Sequence, residues 1–148
     1  MCGITGVMVI ADRQVDQSTV RQMTDSIAHR GPDDAGFFFG AGVAFGHRRL
    51  SIIDAAGGHQ PMVSPDERVV LTYNGEVYNF QQLRRELEAL GHQFKTSSDT
   101  EVLLTSYLEW GADCVTRLRG MFAFAIWDNR SGQLFLARDR LGIKPLYF

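Results

Sequence analysis

The chain has 148 residues, 45% hydrophobic and 22% charged, the length and balance of one globular domain with a buried core, and this excludes a disordered chain. Its 15 basic and 17 acidic residues give a formal charge of -2 with no cationic block, so neither a nucleic acid backbone nor an anionic membrane is an expected partner. Only Cys2 and Cys114 are cysteines, and no signal-like or membrane-length apolar segment follows Met1, which points to a reducing, cytoplasmic location.

Residues 3–10 are rich in β-branched and apolar side chains and predict a buried strand that fixes the N-terminus. Between Ser18 and Ala28, the recurrence of Val20, Met23 and Ile27 gives the apolar stripe of a helix, which Gly31-Pro32 brings to an end. Residues 37–39, 43–45, 50–53 and 69–73 follow as short strands of an antiparallel, hairpin-rich stretch. Asn79 precedes Gln82 by three residues, and Leu83, Leu87 and Leu90 lead to Gly91, a helix with a start box and a stop. Asp99 opens a second helix, with Leu103, Leu104, Tyr107 and Leu108 on one face and Gly111 past its end. Residues 121–128 and 133–138 predict a hairpin around the five residues from Asp128 to Gly132. The order β, α, several β, two α, several β predicts an α+β architecture of two mainly antiparallel sheets with helices outside them. There is no internal repeat. The last residues, 144–148, form an apolar run without a polar tail, as if cut within an element.

Cys2 is the sharpest chemical candidate. Methionine aminopeptidases act where the second residue is small, and loss of Met1 would leave a cysteine bearing its own α-amino group. With reference pKa values of roughly 7.7 to 8.0 for the amine and about 8.5 for the thiol, the pair can exchange a proton near neutrality. Taken alone, the position is equally well explained as the accident of a small second residue. Asn74-Gly75 alone reads as a hairpin turn, and Asp99 alone as a helix N-cap. Gly57-Gly58 lacks the Lys and Ser/Thr of a phosphate-binding loop, and His59-Gln60-Pro61 after it reads as an ordinary loop. His29, His47, His59 and His92 show no metal-ligand spacing with each other or with the cysteines. Cys114 reads as structural. If Arg48 and Arg49 lie on a strand, alternation sends them to opposite faces.

Five segments stand in order along the chain: Cys2-Gly3-Ile4-Thr5-Gly6, His29-Arg30-Gly31-Pro32-Asp33, His47-Arg48-Arg49-Leu50-Ser51-Ile52, Asn74-Gly75-Glu76-Val77-Tyr78-Asn79 and Ser98-Asp99-Thr100-Glu101. In them the sequence resembles class II glutamine amidotransferases over its whole length. The Arg-Gly-Pro-Asp, Arg-Leu-Ser-Ile-Ile-Asp and Asn-Gly-Glu-Val-Tyr-Asn runs, with Arg138-Asp139-Arg140-Leu141-Gly142-Ile143-Lys144-Pro145-Leu146-Tyr147, are similar to the asparagine synthetase branch. The resemblance implies an N-terminal nucleophile hydrolase fold, an αββα sandwich, with residues 1–148 as one glutaminase domain, incomplete at its C-terminus. It implies glutamine as substrate and Cys2 as nucleophile, with the Asn74 side-chain amide and the Gly75 backbone N–H as the oxyanion hole. Arg49 matches the arginine that holds the substrate α-carboxylate through its planar fork, Glu76 and Asp99 match the anions for its α-ammonium group, and Arg30 matches a cation bordering the nucleophile. No metal or other cofactor is expected within these residues. ATP and magnesium are expected in a synthetase domain of the same polypeptide, the expected partner together with glutamine, and a homodimer is left open. Three rival readings remain: a catalytically silent interaction domain that keeps the fold, a small metal-binding module, and an amidotransferase with another ammonia acceptor.

Overall fold

The computed structural model describes residues 2–9, 14–50 and 57–148. Its first sheet is built from β1 (Gly3–Met8), β2 (Asp34–Gly40) and β3 (Val43–Arg49) in the order β1-β3-β2, both pairings antiparallel. The strand expected at 43–45 is longer, running on to Arg49 as β3; of the one expected at 50–53, Leu50 lies beyond β3 and 51–53 fall outside the described residues, as does Ile10 of the expected first strand.

α1 (Gln17–Ser26) covers the outer face of this sheet. It starts at Asp16, whose Oδ1 accepts the Ser18 N–H at 2.9 Å, a cap that satisfies one of the unpaired N–H groups at a helix start. The expected stripe of Val20, Met23 and Ile27 is revised, because Val20 and Thr24 are buried while Met23 is exposed. Thr24 can take the inner position because its hydroxyl is satisfied, bonding Val20 O at 2.7 Å and Thr5 Oγ1 of β1 at 2.8 Å. A 3₁₀ turn at Ala28–Arg30 carries the chain on to Gly31. There the backbone presses onto β3: a Cβ on Gly31 would lie 2.4 Å from the Arg48 carbonyl carbon, so only glycine allows the approach. Pro32 then bridges Arg49, and the Asp33 N–H donates to Arg49 O at 3.0 Å.

The second sheet runs β4 (Met62–Val63), β5 (Val69–Val77), β6 (Gly120–Asp128), β7 (Gln133–Arg138), again antiparallel throughout. Asn74 and Gly75 are therefore not a hairpin turn. They sit inside β5, opposite Ala123 and Phe122. The hairpin expected between 121–128 and 133–138 is present, with Gly132 at φ 65°, a left-handed conformation suited to glycine.

α2 (Phe80–Ala89) and α3 (Asp99–Trp110) cover the far face of the second sheet. Asn79 precedes α2, yet its side chain closes no capping box: it donates to Arg117 O at 3.0 Å and accepts the Arg119 N–H at 2.9 Å. It thus ties the start of α2 to the end of the short α4 (Cys114–Arg117). The cap of α3 is Ser98, whose Oγ accepts the Glu101 N–H at 3.2 Å. Asp99 is corrected from N-cap to first helical residue, which leaves its carboxylate available for contacts outside the helix.

Alternation along β5 divides the molecule. Val69, Leu71, Tyr73 and Val77 face the helices and pack with Leu83, Leu87, Leu103 and Leu104 in the main core. Val70 faces the first sheet and packs with Val43, Phe45 and Ala125. Further along the same face, Thr72, Asn74 and Glu76 make the layer between the sheets polar, opposite His47 and Arg49 of β3. The layers are helix, sheet, sheet, helix, the α+β sandwich expected. Among the described residues, no helix is long and apolar enough to cross a membrane.

Candidate active site

The polar end of the layer between the sheets opens as a cavity, and Cys2, Arg49, Asn74, Gly75, Glu76 and Asp99 all line it. Four elements meet there. The pairing of Gly3 with Arg48 sets Cys2 beside the end of β3, where its Sγ lies 3.4 Å from the donating Leu50 N and 3.6 Å from Leu50 O. Arg30 reaches the main chain of this residue, its Nε donating to Cys2 O at 3.2 Å, so its documented contact is with the backbone of Cys2 and not with the thiol. Among the described residues, the buried Arg30 Nη2 has no hydrogen-bond partner.

Arg48 and Arg49 point to opposite sides of β3. Arg48 turns to α1, donating to Thr24 O at 3.2 Å and pairing with Asp25. Arg49, 6% exposed, turns into the cavity wall. Beneath it His47 is fully buried, its Nδ1 3.3 Å from Thr72 Oγ1. Burial first, and then the neighbouring Arg49, lower its pKa to about 3, so it is a neutral imidazole at physiological pH.

Gly75 contributes through its backbone. A Cβ at this position would lie 2.2 Å from Met121 O and 2.7 Å from Phe122 Cα, so the β5–β6 pairing admits glycine alone here. The direction of its N–H follows from its neighbours. The N–H groups of Val69, Tyr73 and Val77 all point away from β6, to Ser64 Oγ at 3.0 Å, Gln60 Oε1 at 2.7 Å and Asp99 Oδ2 at 3.0 Å. The unbroken register from Val69 to Val77 sends the Gly75 N–H out of the same strand edge, between the last two, because alternate residues of an antiparallel strand direct their backbone groups to the same side.

Asp99 is held by two donors on one oxygen: the Tyr73 hydroxyl at 2.8 Å and the Val77 N–H at 3.0 Å, both to Oδ2. Burial, and next the charge of Asp99, push the Tyr73 phenol well above its ordinary pKa, so it remains a donor. Gln60 and Lys144 are among the cavity residues that the sequence did not mark as part of the site. Gln60, expected in an ordinary loop, is buried and clamps Tyr73 N to Thr100 Oγ1, the latter at 3.5 Å. Gly36 makes room for it, since a Cβ there would lie 1.8 Å from Gln60 O. Lys144, expected as the first residue of the final run 144–148 and part of the stretch from Arg138 to Tyr147 that carries the resemblance, also lines the cavity.

The second cysteine differs from the first. Cys114 is fully buried, and burial pushes its thiol up to about 12, which leaves no useful thiolate at neutral pH. Among the described residues, no group of three or more His, Cys, Asp or Glu side chains could hold a metal ion.

All of residues 1–148 match the family described as glutamine amidotransferase domain. The chain belongs to that family. This amidotransferase domain is 50% identical over 151 residues to "Asparagine synthetase [glutamine-hydrolyzing] 3" of Bacillus subtilis (strain 168), covering 100% of the chain and 25% of that protein. It is 48% identical to "Asparagine synthetase [glutamine-hydrolyzing] 1" of the same organism, with 100% of the chain and 24% of that protein covered. The chain therefore spans about a quarter of the length of these curated relatives. Among solved structures it is similar to the glutamine phosphoribosylpyrophosphate amidotransferase from B. subtilis complexed with ADP and GMP, with a TM-score of 0.78 and 23% identity, covering 98% of this chain and 38% of that one. At that identity the likeness shows the fold alone, a sandwich of two antiparallel sheets between helices.

Proposed function

We propose that this domain hydrolyses the side-chain amide of glutamine, with Cys2 as nucleophile once Met1 has been removed. The observation that carries the reading is the convergence on one cavity of a thiol, an amide side chain beside an outward-facing backbone N–H, and charged groups of both signs. An amino acid has charges of both signs at one end and, in glutamine, a polar amide at the other. Arg49 receives the α-carboxylate through its fork. Glu76 and Asp99 receive the α-ammonium group.

In this reading the Cys2 α-amino group takes the thiol proton, and the sulfur attacks the amide carbon. The carbonyl oxygen becomes an oxyanion, held by Asn74 Nδ2 and the Gly75 N–H, donors fixed in place before the charge develops. Return of the proton to the nitrogen expels ammonia and leaves a glutamyl thioester on Cys2. Water, deprotonated by the same amine, then attacks the thioester, and glutamate and the free thiol result. Arg30 has a supporting role, fixing the Cys2 main chain so that thiol and amine hold their positions.

Residues 1–148 are the glutaminase unit in this proposal, and the ammonia goes to a synthetase domain of the same polypeptide. The names of the relatives support asparagine as the product; ATP with magnesium would supply the activation of aspartate in that domain, outside these residues. Processed protein is expected to release ammonia and glutamate from glutamine, and Cys2→Ala to abolish both. Unchanged release in that variant, or full activity from protein shown by N-terminal mass analysis to retain Met1, would overturn the assignment.

A further inference from the structure

The outer edge of β5 is covered step by step, with one gap. The Val69 N–H donates to Ser64 Oγ at 3.0 Å, Leu71 pairs with Met62 of β4, the Tyr73 N–H donates to Gln60 Oε1 at 2.7 Å and the Val77 N–H to Asp99 Oδ2 at 3.0 Å. Gly75, between the last two, turns its N–H to the cavity. The register alone would close this gap. β4 and β5 pair as Met62 with Leu71 and Val63 with Val70. Continued in the same register, Gln60 would lie opposite Tyr73 and Gly58 opposite Gly75, and a backbone carbonyl would take the Gly75 N–H. β4 begins only at Met62 instead. The backbone carbonyl of Gln60 turns to β2, where a Cβ on Gly36 would lie 1.8 Å from it, and the Gln60 side chain reaches β5 in its place.

That side chain is held at both ends of its amide. A backbone N–H needs an acceptor, so the Tyr73 bond assigns the amide oxygen, and the nitrogen is left to face Thr100 Oγ1 at 3.5 Å. Gln60 and Thr100 are both buried, and Thr100 follows Asp99 in the first turn of α3. Two adjacent residues of that turn thus hold the strand edge on either side of Gly75: Asp99 takes the Val77 N–H directly, and Thr100 steadies Gln60 on the Tyr73 N–H. Gly75 has no side chain to fix its own peptide, and the β6 backbone admits no larger residue there, since a Cβ would lie 2.2 Å from Met121 O. On this edge its aim depends on its neighbours. Resting on the glutamine reading, in which the Gly75 N–H is an oxyanion donor, we propose that Gln60 is a positioning residue for the reaction: it ends the β4–β5 pairing before Gly75 and pins the Tyr73 N–H, so that the Gly75 N–H stays uncovered and aimed at the reacting carbonyl oxygen. This donor acts mainly as the charge develops, so loss of its aim lowers kcat and leaves glutamine binding near its wild-type value.

The test is steady-state glutamine hydrolysis by the full-length protein carrying Gln60→Met, which keeps the length of the side chain and removes its acceptor. kcat and kcat/KM should fall together by about tenfold or more, short of the hundred- to thousandfold typical of losing a donor outright, with KM within about threefold. Ser64→Ala is the control. It strips the acceptor from the Val69 N–H at the far end of the same strand edge, and kcat per folded molecule should stay at the wild-type value. A second readout separates the aim of the oxyanion donor from a disturbed nucleophile: alkylation of Cys2 by iodoacetamide, in which the sulfur displaces iodide and no oxyanion forms. Its rate in Gln60→Met should match wild type within about twofold, since the oxyanion donors take no part. An unchanged kcat, a rise in KM alone, an alkylation rate that falls with kcat, or an equal loss of kcat in Ser64→Ala would overturn the proposal. If Gln60→Met does not fold, Thr100→Val, which removes the hold on the amide nitrogen, repeats the comparison with a smaller loss of kcat of the same kind. Failure of both to fold assigns Gln60 to structure and overturns the proposal as well. An active wild type with an unaffected Gln60→Met refutes this role alone, whereas a wild type that releases no ammonia from glutamine refutes the glutaminase reading and this one with it.

Discussion

The two faces of β5 have opposite tasks. Toward the helices Val69, Leu71, Tyr73 and Val77 join the main core. Toward the first sheet, Thr72, Asn74 and Glu76 present polar groups, and the last two reach the cavity of Cys2. The strand edge is a third surface, with its N–H groups on Ser64, Gln60 and Asp99 and one directed into the cavity from Gly75. A single strand can therefore be anchored by one face while the other carries chemistry, and stability and activity should separate residue by residue.

The largest effect that would break this division lies on the core face. Leu71→Ala removes a fully buried side chain and should cost about 2 to 5 kcal/mol in denaturant unfolding, with kcat per folded molecule unchanged. On the polar face, Asn74→Ala should lower kcat by about a hundred- to a thousandfold while the unfolding midpoint moves far less than for Leu71→Ala. Equal losses of stability in the two variants would refute the division. Arg49→Ala, across the cavity, should raise the glutamine KM by at least about tenfold with a smaller change in kcat, read from steady-state kinetics. An unaltered KM would remove the carboxylate role.

The smallest effect concerns the buried imidazole beneath Arg49. His47 has its pKa lowered to about 3 in the fold, against about 6.5 unfolded. The unfolded chain binds the extra proton between those values, so this contribution is complete above about pH 6.5 and is lost as pH falls toward about 3, at no more than about 1.4 kcal/mol per pH unit. Unfolding measured from pH 7 to pH 4.5 should show a shallower decline in His47→Gln than in wild type. Asp34, Asp128 and Asp139, with carboxyls also held below their ordinary range, lose their contributions at lower pH, and their slope should remain in both proteins.

Much of the fold was legible in the sequence because helices and strands leave periodic signatures. The two long helices, the final hairpin and the layer order follow from spacing and from stop residues such as Gly91 and Gly111. Where the local pattern had two solutions, distant contacts chose between them. Thr24 displaced Met23 from the buried face of α1 because Thr5 lies across from it. Asn79 left its helix start for Arg117 and Arg119, far along the chain. Asn-Gly is a turn signal in isolation, and only pairing with β6 keeps it extended in β5. For the cavity, resemblance supplied Cys2, Arg49, Asn74, Gly75, Glu76 and Asp99, while composition and spacing alone left Cys2 undecided. Gln60 left almost no trace, and the resemblance marked the run around Lys144 without giving it a place in the cavity, since the burial of a polar side chain depends on what the rest of the chain folds over it.

Labelling by an electrophilic glutamine analogue, such as its chloroketone, tests the central claim most directly, followed by peptide mapping of both cysteines. The account predicts a single adduct on Cys2, in protein that has lost Met1, suppressed by excess glutamine and absent from Cys114, whose thiol is buried and held up at about 12. Labelling of Cys114 instead, or no glutamine-protected adduct on processed Cys2, would contradict it.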